Sequence, residues 1–168
     1  MPSEWQWYEI VNSPTDLQQW DILEGIIVPE LSRGTGEVVE NEYNLIVMTQ
    51  SCDIEDGIHH IVFCPVWTQN QMVESEPTFG NKSTIGNLLR GRVIGFHPIN
   101  KCTVPGMERP WRIVQFQRIL ELDRSEVLNH VGAIGDRIRL LPPYREHLAQ
   151  QFAKFFMRVG LPIPIDMT

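Results

Sequence analysis

At 168 residues, 42% hydrophobic and 21% charged, the chain has the size and make-up of one soluble domain with a core of its own. No apolar run approaches the roughly 20 residues of a membrane helix, and Met1–Trp7 lacks the basic and apolar regions of a secretory signal. Three cysteines without close spacing do not make a disulfide framework, so a reducing, cytoplasmic setting and no membrane partner are expected.

Charge is distributed unevenly behind a net value of −7. Residues 1–81 hold fourteen acids against Arg33 alone, and residues 82–124 hold eight bases against Glu108, Glu121 and Asp123. If the two regions face apart, one surface attracts cationic partners and the other anionic ones; if they interleave, the charges cancel.

In chain order, Ser13 and Pro14 read as the cap and first position of a short helix. Trp20–Val28 reads as a strand, and Ser32–Gly36 is a loop with too few glycines and no lysine for phosphate binding. Two apolar runs, Leu45–Gln50 and Ile58–Trp67, predict central strands around a polar turn, Gln50–Gly57. Asn81–Arg90 predicts a helix stopped at Gly91, followed by a strand over Arg92–Phe96. Trp111–Gln117 is a further strand that Ile119–Leu122 extends. Asp123 caps a helical turn ending near Gly132. The firmest helix is 143–159, whose Tyr144, Leu148, Phe152, Phe155, Phe156 and Val159 form one apolar stripe, with Gly160, Pro162 and Pro164 to end it. These elements make a mainly β fold: a small, partly open barrel with a C-terminal helix packed on it. It reads as one domain, with a barrel core over about 20–68 and 92–122 and an insertion at about 70–110.

Three groups of residues have the right types for chemistry. Cys52, Asp53, His59, His60 and Cys64 are suitable zinc ligands, but a hairpin here puts Cys64 about 15 Å up the strand at roughly 3.3 Å per residue. No metal or other cofactor is therefore expected. Cys52 could instead act as a nucleophile with His59 as base and Asp53 or Asp56 as orienter, although neighbouring carboxylates suppress the thiolate. The third group is the basic block, in which Arg90, Arg92, Lys101, Arg109 and Arg112 interleave with aromatics such as Trp111. Guanidinium groups beside rings suit single-stranded RNA, whose phosphates pair with the charges and whose bases stack. His130 and His147, each alone beside apolar helical residues, read as structural.

Several short segments resemble the PemK/MazF family of toxin endoribonucleases. Trp20-Asp21-Ile22 is similar to the family's opening Gly-Asp-Ile/Val strand, with Trp in place of Gly. Leu45–Thr49 resembles its apolar second strand, Pro65-Val66-Trp67-Thr68-Gln69 its Pro-Leu-Thr-Ser segment, and Val114–Arg124 its late strand and following helix start. The resemblance covers about 100 residues in two blocks, and its C-terminal helix ends alike at Gly160-Leu161. It implies an SH3-like barrel that dimerises and cleaves single-stranded RNA without metal, with Thr68 contacting phosphate. The family's Arg-Pro pair at the head of the second strand is replaced here by Glu42, Tyr43 and Asn44. A glutamate there repels the scissile phosphate, so Arg33 or Arg109 would have to stabilise charge, with His59 as base. Three expectations follow. The first is a catalytically altered barrel that binds a protein partner or RNA. The others are a metal-independent endoribonuclease and a Cys52 thiol hydrolase.

Overall fold

The computed structural model of the chain describes residues 6–157. Its eight strands are β1 (Tyr8–Val11), β2 (Asp21–Leu31), β3 (Val38–Val47), β4 (His60–Thr68), β5 (Phe96–Ile99), β6 (Arg112–Gln115), β7 (Leu120–Asp123) and β8 (Arg137–Leu140). All pairings are antiparallel, and the order is β1-β8-β2-β3-β4-β6-β5, with β7 also on β4. The sheet is open, with β1 and β5 at its ends, so the expected small barrel is not closed among the described residues. Five α-helices accompany it, α1 (Ser51–Glu55), α2 (Gln69–Ser75), α3 (Lys82–Leu89), α4 (Arg124–Ile134) and α5 (Tyr144–Phe156), with a 3-10 turn at Pro77–Gly80.

The apolar stretches Leu45–Val47 of β3 and Ile61–Trp67 of β4 are continuous because helices cover both faces of the sheet there. Leu45, Val47, Ile61 and Phe63 point into one cluster with Val127 and Val131 of α4. Alternate residues Ile46, Cys64 and Val66 join Phe116, Ile138 and Leu148 of α5 on the other face. A third cluster, Met72, Phe79, Leu88, Phe96 and Ile113, seats the 70–110 segment. That segment carries α2, α3 and β5, and adds a strand to the sheet through β5–β6 pairing.

Several boundaries differ from expectation for local reasons. The polar stretch after β3 is the short helix α1 rather than a hairpin turn, because one helical turn directs Ile54 into the core. Residues 13–16 are not helical; the carbonyls of Ser13 and Asp16 instead accept hydrogen bonds from Arg137. The strand expected at Arg92–Phe96 begins only at Phe96. Leu120–Asp123 breaks from β6 and pairs with the first half of β4, while β6 pairs with its second half. Asp123 does cap α4, accepting from the Ser125 amide at 2.7 Å, and the helix runs on to Ile134 before Gly135. Strands β1 and β8, which the sequence reading missed, are each only four residues long. In α5, Leu148 is buried and Phe152 and Phe155 are half-buried, but Phe156 is exposed. Val159, Gly160, Pro162 and Pro164 lie outside the described residues.

Candidate functional site

A cleft of about 1000 Å³ opens where the sheet ends at β5, between α3 and α5. Strand β5 suits an edge, since Pro98 has no N–H to offer a further strand. Arg90 closes α3, Lys101 follows β5, and Lys154 comes from α5; all three line the cleft. Two tryptophans join them. Trp7 is held by stacking on Tyr144 at 3.5 Å between ring centroids, and Trp111 leads into β6. Among the described residues no aspartate or glutamate lines this cleft, although acids outnumber bases in the chain. The wall nearest α5 holds His97 and His147, edge to face with centroids 5.0 Å apart. Burial, with a further contribution from His147, depresses the His97 pKa to about 4. Its imidazole is therefore neutral at physiological pH and stacks on Phe116.

Beside the cleft lies a charged cluster. Arg112 pairs in register with both Thr68 of β4 and Ile99 of β5. Its Nη1 donates to Glu24 Oε1 at 3.0 Å, and Arg109 Nη2 lies 2.6 Å from Glu24 Oε2. Hydrogen bonding to Glu24 raises the Arg109 pKa further, against a smaller opposing effect of desolvation. The Thr68 side chain is the N-cap of α2. Its Oγ1 accepts the Gln71 amide at 3.3 Å while the Gln71 side chain accepts the Thr68 N–H at 2.8 Å.

The remaining expected site residues are dispersed. Cys52 and Asp53 are adjacent on α1, with the thiol 3.7 Å from both Asp53 Oδ1 and Gln50 Oε1. Among the described residues no imidazole bonds to that thiol. His59 is exposed ahead of β4, where its carbonyl accepts from the Arg124 amide. The thiolate arrangement is thus not assembled. Cys64 lies opposite Ile46, and burial pushes its thiol up to about 12. Arg33 is exposed at the tip of the β2–β3 hairpin and lines a second cleft with Glu30 and Arg118. Arg92 is exposed beyond α3. No group of three His, Cys, Asp or Glu side chains able to hold a metal ion occurs among the described residues. None of the described helices is long and apolar enough to cross a membrane.

The two halves of the charge distribution thus interleave in part. Arg109 and Arg112 are paired with Glu24, and Arg118 with Glu30 at 2.5 Å. Burial raises the Glu30 pKa, but hydrogen bonds from Tyr43, Arg118 and Asn41 outweigh it and hold the carboxyl below its ordinary value. Of the basic block, Arg90, Lys101 and Trp111 share the cleft. Sequence reasoning missed Trp7 and Lys154, which come from opposite ends of the chain, and it missed Glu24. One signal for Glu24 was present: a Glu-Gly pair inside an apolar strand marks a bulge. No protein-family model matches this chain, and no curated protein matches it.

Proposed function

We propose that this chain is a catalytically altered, PemK/MazF-like module that binds single-stranded RNA in the cleft between α3 and α5. The observation that carries this reading is the cleft lining: three cations and two tryptophans, with no carboxylate among the described residues, in a chain of net charge −7. A random mixture of surface residues in so acidic a chain would bring acids into the lining. Cations spaced around stacking rings match a phosphate backbone with unpaired bases.

The SH3-like ancestry is part of the proposal. It is supported by the antiparallel β2–β3–β4 order and by Trp20, whose φ of 75° lies in the region that favours glycine. Trp20 stands where the resembling family has Gly. Loss of cleavage is supported by two features: Thr68 is engaged in a helix cap, and Glu42, Tyr43 and Asn44 stand where the resembling family has its Arg-Pro pair. Stabilising a cleaved phosphodiester needs a cation at that position, and a glutamate repels the developing charge.

Fluorescence anisotropy of a labelled single-stranded RNA pool, in chelator, tests the reading. Wild type binds with a steep salt dependence and leaves the RNA intact. Charge reversal of Lys101 and Lys154 together lowers affinity more than about tenfold and reduces the salt slope by about two. Folded wild type that ignores RNA at low salt would overturn the reading. RNA cleavage lost in Thr68→Ala would replace it with the endoribonuclease reading.

A further inference from the structure

Strand β2 holds its charged side chain against β6 by means of a bulge. Between the pairs Leu23↔Leu45 and Ile26↔Tyr43, Glu24 and Gly25 stand opposite Asn44 alone. Gly25 adopts φ +67°, and its N–H donates to Asn44 Oδ1 at 3.1 Å. The Glu24 carbonyl lies 2.9 Å from His130 Nε2 on α4. Both sides of the bulge are therefore fixed, and a bulge of this kind re-aims the side chain it carries. Here it delivers one carboxylate to two guanidinium groups.

That pairing is incomplete. Arg109 spends Nε and Nη2 on Glu24 and Nη1 on the Glu108 carbonyl. Arg112 offers Glu24 only Nη1; its Nε and Nη2 make no hydrogen bond of ordinary geometry among the described residues, although the guanidinium interacts with the buried Tyr8 hydroxyl. The Arg112 side chain is 2% exposed, so those two donors are buried and have no carboxylate. A buried donor without an acceptor is costly and uncommon in folded proteins. Among the described residues Glu24 is the single carboxylate bonded to the two arginines, with Glu108 acting on Arg109 only at longer range, and the cluster is open at its outer side, where Arg109 is 35% and Glu24 27% exposed. It also adjoins the cleft in sequence and in register. Pro110 and Trp111, between the two arginines, line the cleft, as do Gln69 next to Thr68 and Ile99 opposite Arg112.

The geometry points to an oxyanion site formed by Arg109 and Arg112 that Glu24 fills as an internal stand-in and yields to a phosphate group of the bound ligand. A phosphate can take the Arg109 Nε and Nη2 and Arg112 Nη1 donors that Glu24 uses, and as inorganic phosphate it carries more charge than the carboxylate. The displaced carboxylate turns to water on its exposed side. Free anions compete poorly with a tethered carboxylate, whereas a phosphate held by a strand already in the cleft competes at high effective concentration. Glu24 therefore restricts this site to ligands that also fill the cleft. The phosphodiester identity of the ligand rests on the RNA reading above; the oxyanion site itself does not.

Inorganic phosphate, titrated against chloride at constant ionic strength and followed by thermal shift, tests the site without RNA. Glu24→Gln is expected to bind phosphate at least about tenfold more tightly than wild type, and adding Arg109→Gln removes the gain. Equal phosphate affinity in wild type and Glu24→Gln overturns the inference, as does a gain that survives loss of Arg109. Should Glu24→Gln not fold, Glu24→Asp shortens the carboxylate by one methylene while keeping its charge, and the same tightening is expected in smaller measure; no change there overturns the inference. A second arm uses the labelled RNA. Tighter RNA binding by Glu24→Gln supports the phosphodiester as ligand, and a phosphate effect in a protein that ignores RNA refutes the RNA reading while the oxyanion site stands.

Discussion

Strand β2 presents two carboxylates three residues apart, and each binds two arginines with opposite consequences. Asp21 is completely buried and holds Arg137 Nε at 2.7 Å and Arg139 Nε at 2.5 Å, with both arginines nearly inaccessible. The remaining Arg137 donors reach the Ser13 and Asp16 carbonyls, and Arg139 reaches the Asp16 carbonyl and carboxylate. That cluster is saturated, ties the 13–16 segment to β2 and β8, and has no face for a ligand. Glu24 serves Arg109 and Arg112 at a bulge, with two buried Arg112 donors left without a well-formed hydrogen bond beside the Tyr8 hydroxyl and its outer side in solvent. Similar chemistry is a structural clamp where every donor is satisfied and a candidate binding site where some are not. Burial and saturation make the difference, since each is fixed by which loops fold over the strand.

Asp21→Asn gives the largest expected effect. Removing the charge leaves buried Arg137 without a carboxylate and Arg139 with only its longer contacts to Asp16 and Glu9, at a cost of about 3–5 kcal/mol in urea unfolding. A loss as small as that of an exposed pair would erase the distinction between the two clusters.

The comparison has a pH window set by His97. Its folded pKa, about 4, lies below the ordinary 6.5, so the unfolded chain takes up the proton first as pH falls. The His97 contribution to stability is constant above about pH 6.5 and declines toward pH 4, by on the order of 3 kcal/mol at most. His97→Phe, measured by denaturation across pH 4–8, is expected to flatten this contribution to the slope. Phosphate and RNA titrations of the Glu24 cluster accordingly belong above pH 7.

The smallest effect concerns Thr68, opposite Arg112. Thr68→Ala removes the α2 cap and is expected to cost about 1 kcal/mol, whereas Thr68→Ser keeps the hydroxyl and stays near wild type. A Thr68→Ala variant of undiminished stability would free the hydroxyl from its structural role and make a ligand role the better account.

Legibility in the sequence followed locality. The apolar runs marked β4 and only the last three residues of β3, whose first seven, Val38–Asn44, are mostly polar and went unread. Asp123 announced the start of α4, and the spacing of Tyr144, Leu148, Phe152 and Phe155 marked α5, because these signals depend on neighbours within one or two turns. The four-residue strands β1 and β8 carried too short a pattern to read. Their side chains make sense only once Arg137 and Arg139 are seen to meet Asp21. The hairpin turn expected around Cys52 also failed for a nonlocal reason: the core beneath it takes Ile54. The cleft was half visible, in Arg90, Lys101 and Trp111, and half hidden, in Trp7 and Lys154.

Composition and periodicity by themselves determined a single mainly β chain with a terminal helix, and placed an excess of cations in 82–124. Only the tertiary structure decided which cations are neutralised, by Glu24 and Glu30, and which are left to line a cleft. Charge pairing across nearly ninety residues depends on strand order and on one bulge, and no local pattern in the chain encodes either.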